Sequence, residues 1–377
     1  MTTSRHFKRD GATWLIYALF AAFVVVMNLL GPISPFIQAE QQSSYTIRSL
    51  HLSMFAVGLI AAGFVSPAML KRWGHQRTLQ VSLIGLMLGL VLFMLGRIAP
   101  LTLTAAFCLG MVGALILILA PDMLTTNHPT HQAIAITEVN SLATGCSIFA
   151  PLLVGVVATT MLGWRGAIIV MLAVFGGLLL LVRRVSLHGH AHDVAAHGRL
   201  TSRFWLYWLL LVLGVAIEFC TLFWGASFLE QRHGIKPSTA TMLMSAFLIA
   251  MFVGRLGGSY LLRRYHARTL VIGSLIIVLS GALLHWLIPL FAVSVIGLII
   301  AGLGTANLYP LVLSLALQTA PTQTAYASSR ASLASGIALL ILPFVLGGLA
   351  DQVGITAAYG MISGIAGTAL MLISIIK

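Results

Sequence analysis

Charged side chains are scarce in this 377-residue chain, where they make up 8% of the sequence. A soluble domain carries about 25% charged residues and 45–50% apolar ones. Here 59% of the residues are hydrophobic and only eight are acidic, which excludes a soluble globular protein and predicts a polytopic membrane protein. At roughly 20 residues per span, twelve helices with short loops fill the chain and leave no room for a separate soluble domain.

Cysteine is also rare, and the three cysteines, Cys108, Cys146 and Cys220, lie inside apolar runs. Such positions favour small buried thiols over a disulfide framework or a cysteine-ligated metal site. The first apolar run is about twice the length of a signal-peptide core, and no small-x-small cleavage site follows it. We therefore expect it to remain as the first span.

Apolar runs separated by turn signals predict twelve membrane-spanning helices. In the first half they cover residues 12–39, 46–70, 78–96, 101–120, 133–160 and 165–182. In the second half they cover residues 204–230, 238–262, 268–288, 290–313, 328–349 and 356–376.

The net charge of +13 comes from short basic clusters between these runs, as expected for an orientation signal and not for a nucleic-acid surface. With the N-terminus inside, the inner segments hold Arg5, Lys8, Arg9, Lys71, Arg72, Arg77, Arg183, Arg184, Arg199, Arg203, Arg263, Arg264, Arg268 and Lys377. The outer loops hold Arg48, Arg97, Arg165, Arg232 and Lys236. Fourteen basic residues in the inner segments against five in the outer loops predict that both termini are cytoplasmic in a bacterial inner membrane.

The two halves match each other when the sequence is shifted by roughly 190 residues, which indicates an internal repeat. The shift aligns residues 70–79 with 262–270, Gly113 and Pro121 with Gly302 and Pro310, and Pro151 and Gly155 with Pro343 and Gly347. We predict two parallel six-helix halves, residues 1–182 and 204–377, joined by a cytoplasmic connector at residues 183–203.

Two six-span halves, a basic turn after the second span of each half and a cytoplasmic connector resemble the major facilitator superfamily of secondary transporters. The resemblance covers essentially the whole chain. It implies an all-α membrane protein of twelve transmembrane helices, in which the first, fourth, seventh and tenth spans line a central cavity.

The basic turn between the second and third spans reads PAMLKRWGHQ at residues 67–76, where the family has Gly-x-x-x-Asp-Arg-x-Gly-Arg-Arg. Arg72 and Gly74 match, but the acidic residue that is thought to anchor the turn is replaced by Lys71. Asp122, at the cytoplasmic end of the fourth span, is a possible substitute partner for Arg72 or Arg77.

Signals of the drug/proton antiporters are weak. These antiporters usually carry an Arg four residues before a Gly in the fourth span and a Gly-Pro-x-x-Gly-Gly motif in the fifth. Here Ala106 stands four residues before Gly110, and of the second motif only Pro151 and Gly155 remain. These departures favour uptake by symport over proton-driven efflux of a drug or metabolite, which stays as the alternative.

Glu218 is the carboxylate closest to mid-depth in the seventh span, and it shares a helix face with Gly214, Leu222 and Gly225. An intramembrane carboxylate is costly unless it meets water, a ligand or a partner. Glu218 is therefore our candidate for proton coupling and for binding a polar substrate. The alternative is a protonated carboxyl group that bonds a neighbouring helix.

Other candidate substrate-binding residues are polar or aromatic side chains near the middle of the first, seventh and tenth spans. Asn28 and Asn307 have amides that reach either a polar solute or another helix, and Tyr309 lies beside Asn307. Trp224 is either a cavity wall or an interfacial anchor.

A second set, Glu138, Arg255 and Arg330, lies nearer the cytoplasm. We predict an inner gate in which Glu138 of the fifth span pairs with Arg255 of the eighth across the two halves. The alternative is pairing within each half, or extension of the side chains to the membrane interface.

Three polar residues lie at the outer ends of spans: Arg48, His51 and His285. We interpret them as interfacial residues, although Arg48 near an outer mouth would suit an anionic substrate. The connector carries a histidine run, which either binds a divalent metal or is a solvated linker with chance histidines. The second interpretation is preferred.

The sequence therefore predicts a proton-coupled secondary transporter that moves a small polar or amphipathic solute by alternating access. We expect a monomer in the lipid bilayer that needs no metal or cofactor besides the proton gradient. A membrane enzyme would need a nucleophile and a base, or a metal constellation, at one depth, and a channel would need a charged ring or a repeated carbonyl motif. Neither pattern is evident.

Overall fold

A computed structural model describes residues 9–185, 200–261, 264–320 and 323–376. The helices, in chain order, are α1 Gly11–Gln41, α2 Tyr45–Leu95, α3 Ala99–Asn127, α4 Gln132–Ser147, α5 Phe149–Val157, α6 Arg165–Val182, α7 Ser202–His233, α8 Pro237–Leu261, α9 Ala267–Leu287, α10 Phe291–Thr305, α11 Leu308–Gln318, α12 Thr324–Val353, α13 Ile355–Ala358 and α14 Met361–Ile375.

Eleven stretches of helix are long and apolar enough to cross a membrane among the residues described. One of them, α2, has 51 residues. As a continuous helix it would be about 76 Å long, more than twice the roughly 30 Å of a hydrocarbon core. Gly74 interrupts α2 with φ 69° and ψ 178°, a backbone conformation open almost only to glycine. The interruption divides α2 into two spans and gives the twelve spans that the sequence predicts.

We number the spans one to twelve in chain order: α1, residues 45–73, residues 75–95, α3, α4 with α5, α6, α7, α8, α9, α10 with α11, α12, and α13 with α14. Spans five and ten are each interrupted once. A proline lies just after both interruptions, Pro151 in α5 and Pro310 in α11. Because proline has no N–H, the carbonyl four residues earlier loses its helical bond.

Four spans form the centre of the molecule. The fraction of buried residues in the most apolar 18-residue segment is largest in span one at 72%, span seven at 67%, span four at 56% and span ten at 50%. These are the four spans that the resemblance places around a central cavity.

The internal repeat explains how the halves cross. Span five crosses span eight at Gly155, where a side chain would come within 2.8 Å of the Ser238 carbonyl oxygen. Its repeat equivalent in span eleven, Gly347, crosses span two, where a side chain would come within 2.9 Å of the Tyr45 carbonyl oxygen. Only glycine permits so close an approach of two backbones.

The halves are in contact at one end of the bundle. We call the end where α6 stops and α7 starts the connector end, and the opposite one the far end. At the far end the Asp351 carboxylate accepts hydrogen bonds from the backbone N–H groups of Tyr45 and Thr46, at 2.8 and 2.9 Å. Further along the same interface, the Ser53 hydroxyl donates to the Leu340 carbonyl at 2.7 Å.

The halves diverge toward the connector end. Ile60 of span two still touches span eleven, since its side chain lies 3.2 Å from the position that a Cβ on Gly336 would take. One turn later on the same face of the helix, the side chain of Phe64 is 81% exposed. Spans two and eleven therefore separate between these two residues, and the bundle is open at its connector end.

Candidate functional site

The interruption of span ten lies at the middle of the bundle. α10 ends at Thr305 and α11 begins at Leu308, with Asn307 at φ −110° and ψ 3° between them. In a continuous helix the N–H of residue 310 would bond the carbonyl of Ala306. Pro310 has no such group, so the Ala306 carbonyl needs another donor.

Arg255 of span eight supplies that donor. Its Nε donates to the Ala306 carbonyl at 3.1 Å, and its Nη1 donates to the hydroxyl of Thr144 in span five of the other half. One guanidinium group thus caps the interruption of span ten and also bridges the two halves. The side-chain amide of Asn307 adds a second bond between these spans, by donating to the Gly254 carbonyl at 2.8 Å.

Glu218 is the acidic residue nearest to the midpoint of any described span, at position 17 of the 32 residues of α7. Its side chain is partly exposed. Among the residues described, it forms no ion pair and has no hydrogen-bond partner. The charge that acts on it electrostatically is Arg255. On the same face of α7, Gly214 packs against Leu308, the first residue after the interruption, so Glu218 and the centre of span ten belong to one site.

The two predicted amides use their N–H groups within the protein. Asn28 donates to the Val24 carbonyl of its own helix at 2.9 Å, and Asn307 bonds span eight. Both remain partly exposed. Tyr309, two residues after Asn307, is also partly exposed. Substrate binding by these side chains stays a prediction.

Trp224 lies elsewhere. It is 0% exposed, and its indole N–H donates to the Pro343 carbonyl of span eleven at 3.1 Å. It is therefore neither an interfacial anchor nor a wall of an open cavity in this conformation. It packs in the closed far end.

The three residues of the predicted inner gate are not in contact with one another here. The Glu138 carboxylate accepts from Arg9 at 2.5 and 2.9 Å and from the Tyr17 hydroxyl at 3.1 Å, all within the first half. Hydrogen bonding to Glu138 raises the pKa of the Arg9 guanidinium. Arg330 stacks over Tyr326, with its guanidinium carbon 4.9 Å from the ring centre. Because the connector end is open, pairing of Glu138 with Arg255 in another conformation stays a prediction.

The basic turn is anchored by Asp122, but through a residue that departs from the family motif. The imidazole Nε2 of His75 lies 2.6 Å from an Asp122 carboxylate oxygen, whereas the predicted partners Arg72 and Arg77 are exposed. Next to His75, the Gln76 amide donates to the Val182 carbonyl at 2.6 Å, which ties the turn to the end of span six.

The interfacial interpretation of three residues at span ends is wrong. Arg48, His51 and His285 are only 1%, 3% and 2% exposed. Their positions near the ends of apolar runs gave no sign of this, because packing between spans at the far end buries them. The predicted histidine run, His188, His190, His192 and His197 with Asp193, lies outside the described residues.

A shallow groove of about 470 Å³ lies along α11, on the connector side of the interruption of span ten. It is lined by Pro310, Leu313, Ser314, Leu317 and Gln318, which share one helix face. The two polar side chains in this lining fit a water-accessible surface better than a lipid-facing one.

Comparisons with known proteins agree with this architecture. An uncharacterized transporter, YycB, of Bacillus subtilis (strain 168) is 27% identical over 378 residues, covering 92% of this chain and 89% of the relative. The nucleoside transporter NupG superposes with a TM-score of 0.79 at 13% identity, covering 97% of this chain and 99% of that one. A D-xylose-proton symporter superposes with a TM-score of 0.78 at 11% identity, covering 96% of both chains.

A bacterial homologue of the human lysosomal transporter Spinster, described as inward-facing and unoccupied, gives a TM-score of 0.75 at 14% identity, covering 98% of this chain and 95% of that one. The sequence profile of the Major Facilitator Superfamily matches residues 13–325 and 207–376. The chain is therefore an integral, polytopic membrane protein that belongs to the Major Facilitator Superfamily of transporters.

Proposed function

We propose that this protein is a secondary transporter that takes up a small polar solute together with protons, and that Glu218 carries the proton. The observation that carries the proposal is the placement of Glu218, an ion-pair-free carboxylate at mid-depth, beside the interruption of span ten. Two of the structural neighbours described above are a nucleoside transporter and a D-xylose-proton symporter, which supports the same class of activity.

The contacts between the halves support alternating access. Closure at the far end and divergence at the connector end give one of the two conformations that the mechanism requires. The close crossings at Gly155 and Gly347 lie between the halves, and they permit one half to rock against the other with little resistance from side chains. With the connector end cytoplasmic, as the distribution of Lys and Arg predicts, this conformation is open to the cytoplasm of a bacterial cell.

Proton coupling assigns different roles to Glu218 and Arg255. A carboxylate in a site of low dielectric is costly unless a cation or a proton neutralises it. A proton bound at the Glu218 carboxyl makes that side chain neutral, and loss of the proton leaves a negative charge that attracts the guanidinium of Arg255. Because Arg255 also holds Ala306 and Thr144, any response of its guanidinium to the charge of Glu218 reaches both halves.

The test uses purified protein in liposomes that contain a pH-sensitive dye. A thermal-shift screen of sugars, organic acids, amino compounds and lipophilic cations first selects a solute that stabilises the folded protein. Symport predicts that adding this solute outside acidifies the lumen. Antiport would instead make the lumen more alkaline when the solute is taken up.

Glu218→Gln should abolish the solute-induced pH change while it preserves binding in the thermal-shift screen, because glutamine keeps the shape but cannot ionise. The matched control is Glu40→Gln, the same substitution in a carboxylate near the end of span one that pairs with Arg165 of the same half, and it should retain the pH change. If Glu218→Gln proteoliposomes acidify as fast as wild type, Glu218 is not the coupling site.

A further inference from the structure

Arg48 is a fully buried cation at the interface between the halves. Four hydrogen bonds hold its guanidinium: Nε to the Ser34 hydroxyl at 2.8 Å, Nη1 to the Gln38 amide oxygen at 3.1 Å and to the Ser227 hydroxyl at 2.5 Å, and Nη2 to the Phe223 carbonyl at 3.0 Å. The guanidinium carbon also lies over the Trp224 ring, 4.5 Å from the ring centre.

None of these partners carries a negative charge. Among the described residues no carboxylate lies within 4 Å of Arg48. Glu230 and Tyr45 act on it electrostatically from farther away. A buried guanidinium held only by neutral groups is costly compared with one that has an anionic partner, so the closed far end leaves this charge only partly compensated.

The four bonds divide by the half of the molecule that they reach. Those to Ser34 and Gln38 stay within the first half, since span one provides both residues. Those to Ser227 and to the Phe223 carbonyl cross to span seven in the second half. When the halves separate at the far end, the bonds within the first half keep the guanidinium oriented, and the donors that face span seven become free.

The freed donors sit on the two terminal nitrogens of one guanidinium group, which is the fork that binds a carboxylate through two parallel hydrogen bonds. We propose that Arg48 binds the carboxylate group of an anionic substrate when the far end is open. The substrate class is then small organic acids. This assignment rests on the proposed function, since it requires that the halves alternate.

Closure of the far end explains how such a substrate would be released. As the halves approach, the Ser227 hydroxyl and the Phe223 carbonyl take the positions that the carboxylate oxygens occupied, so bound substrate and closed end compete for the same two nitrogens. A proton on Glu218 carried inward with a monovalent acid anion moves no net charge across the membrane.

The test measures thermal stabilisation of the purified full-length protein by matched series of compounds, such as acetate, acetamide and ethylamine, or benzoate, benzamide and benzylamine. Each series keeps the carbon skeleton and changes the charge from negative to neutral to positive. We expect at least one carboxylate to raise the unfolding midpoint while its amide and amine do not, because only an anion compensates Arg48.

Arg48→Gln should weaken the apparent affinity for that carboxylate about tenfold or more. Arg48→Lys, which keeps the charge but lacks the fork, should bind more weakly than wild type and still prefer the carboxylate to the amide. Asp351→Ala serves as the control, because it loosens the far end without removing the cation, and it should keep the preference of wild type.

Three results would overturn the assignment: no carboxylate stabilises the wild type, an amide binds as well as its acid, or Arg48→Gln retains the affinity of wild type. The proposed function fails separately. If carboxylates bind through Arg48 but Glu218→Gln still acidifies proteoliposomes, the anion site stands and the coupling residue is wrong.

Discussion

Arg255 joins the interruption of span ten to the other half of the molecule through one guanidinium group. Its Nε completes the hydrogen bonding of Ala306, whose helical partner is missing because residue 310 is proline. A buried carbonyl left without a donor costs about 1–3 kcal/mol. From the sequence, Arg255 was predicted as a gate residue that pairs with Glu138. The need for a donor at Ala306 becomes visible only when span eight is placed beside span ten.

We predict that Arg255→Gln lowers the free energy of unfolding by about 1–3 kcal/mol, and that most of this loss disappears in a Pro310→Ala background. Alanine at position 310 restores an N–H that can bond the Ala306 carbonyl, so the helix no longer needs the guanidinium. Unfolding of the four proteins in detergent, arranged as a double-mutant cycle, measures the coupling. Additive effects of the two substitutions would contradict this account.

Residues at the ends of spans were the hardest to interpret from the sequence. Arg48 and His285 stand next to loops in the sequence, where charged and polar side chains usually reach water. Both are buried because neighbouring spans extend past them at the far end. Burial of this kind depends on which helices meet, and hydropathy along one chain carries no information about that.

At the scale of the elements, the sequence predicted the spans well because length and hydropathy alone determine them. The first span was expected at residues 12–39, and the helix is Gly11–Gln41. The interruption of span ten was not expected, although Pro310 was noted as a repeat equivalent of Pro121. Pro121 lies inside a continuous helix, so the same residue type breaks one span and not the other, and only the packing distinguishes them.

The turn within α2 depends on Gly74. We predict that Gly74→Ala destabilises the protein by about 1–3 kcal/mol, because alanine must adopt a backbone conformation that is nearly restricted to glycine. Gly63→Ala is a matched control on the same helix: neither position has an atom within 4 Å of an added Cβ, but Gly63 lies in regular helix.

At Gly63 the change to alanine should be neutral or stabilising, by up to about 1 kcal/mol. Thermal unfolding of both variants beside wild type gives the comparison. Equal effects of the two substitutions would mean that the backbone conformation at Gly74 does not anchor the turn.

At the scale of the whole molecule, we propose that the proton on Glu218 is coupled to the relative position of the two halves. The repeat predicted from the sequence gives the halves their matching crossings at Gly155 and Gly347. The conformation itself, closed at the far end and open at the connector end, could not be predicted, because hydropathy and repeat spacing do not specify how closely the two halves pack at each end.

The most direct test of the claim is the distance between spin labels at positions 64 and 333, in spans two and eleven at the open end, measured as pH is varied. Wild type should change its distance distribution with pH, because protonation of Glu218 shifts the balance of conformations. Glu218→Gln should give one distribution at every pH, since its side chain cannot ionise. An identical pH response in both proteins would contradict the claim that this carboxylate couples protons to the motion of the halves.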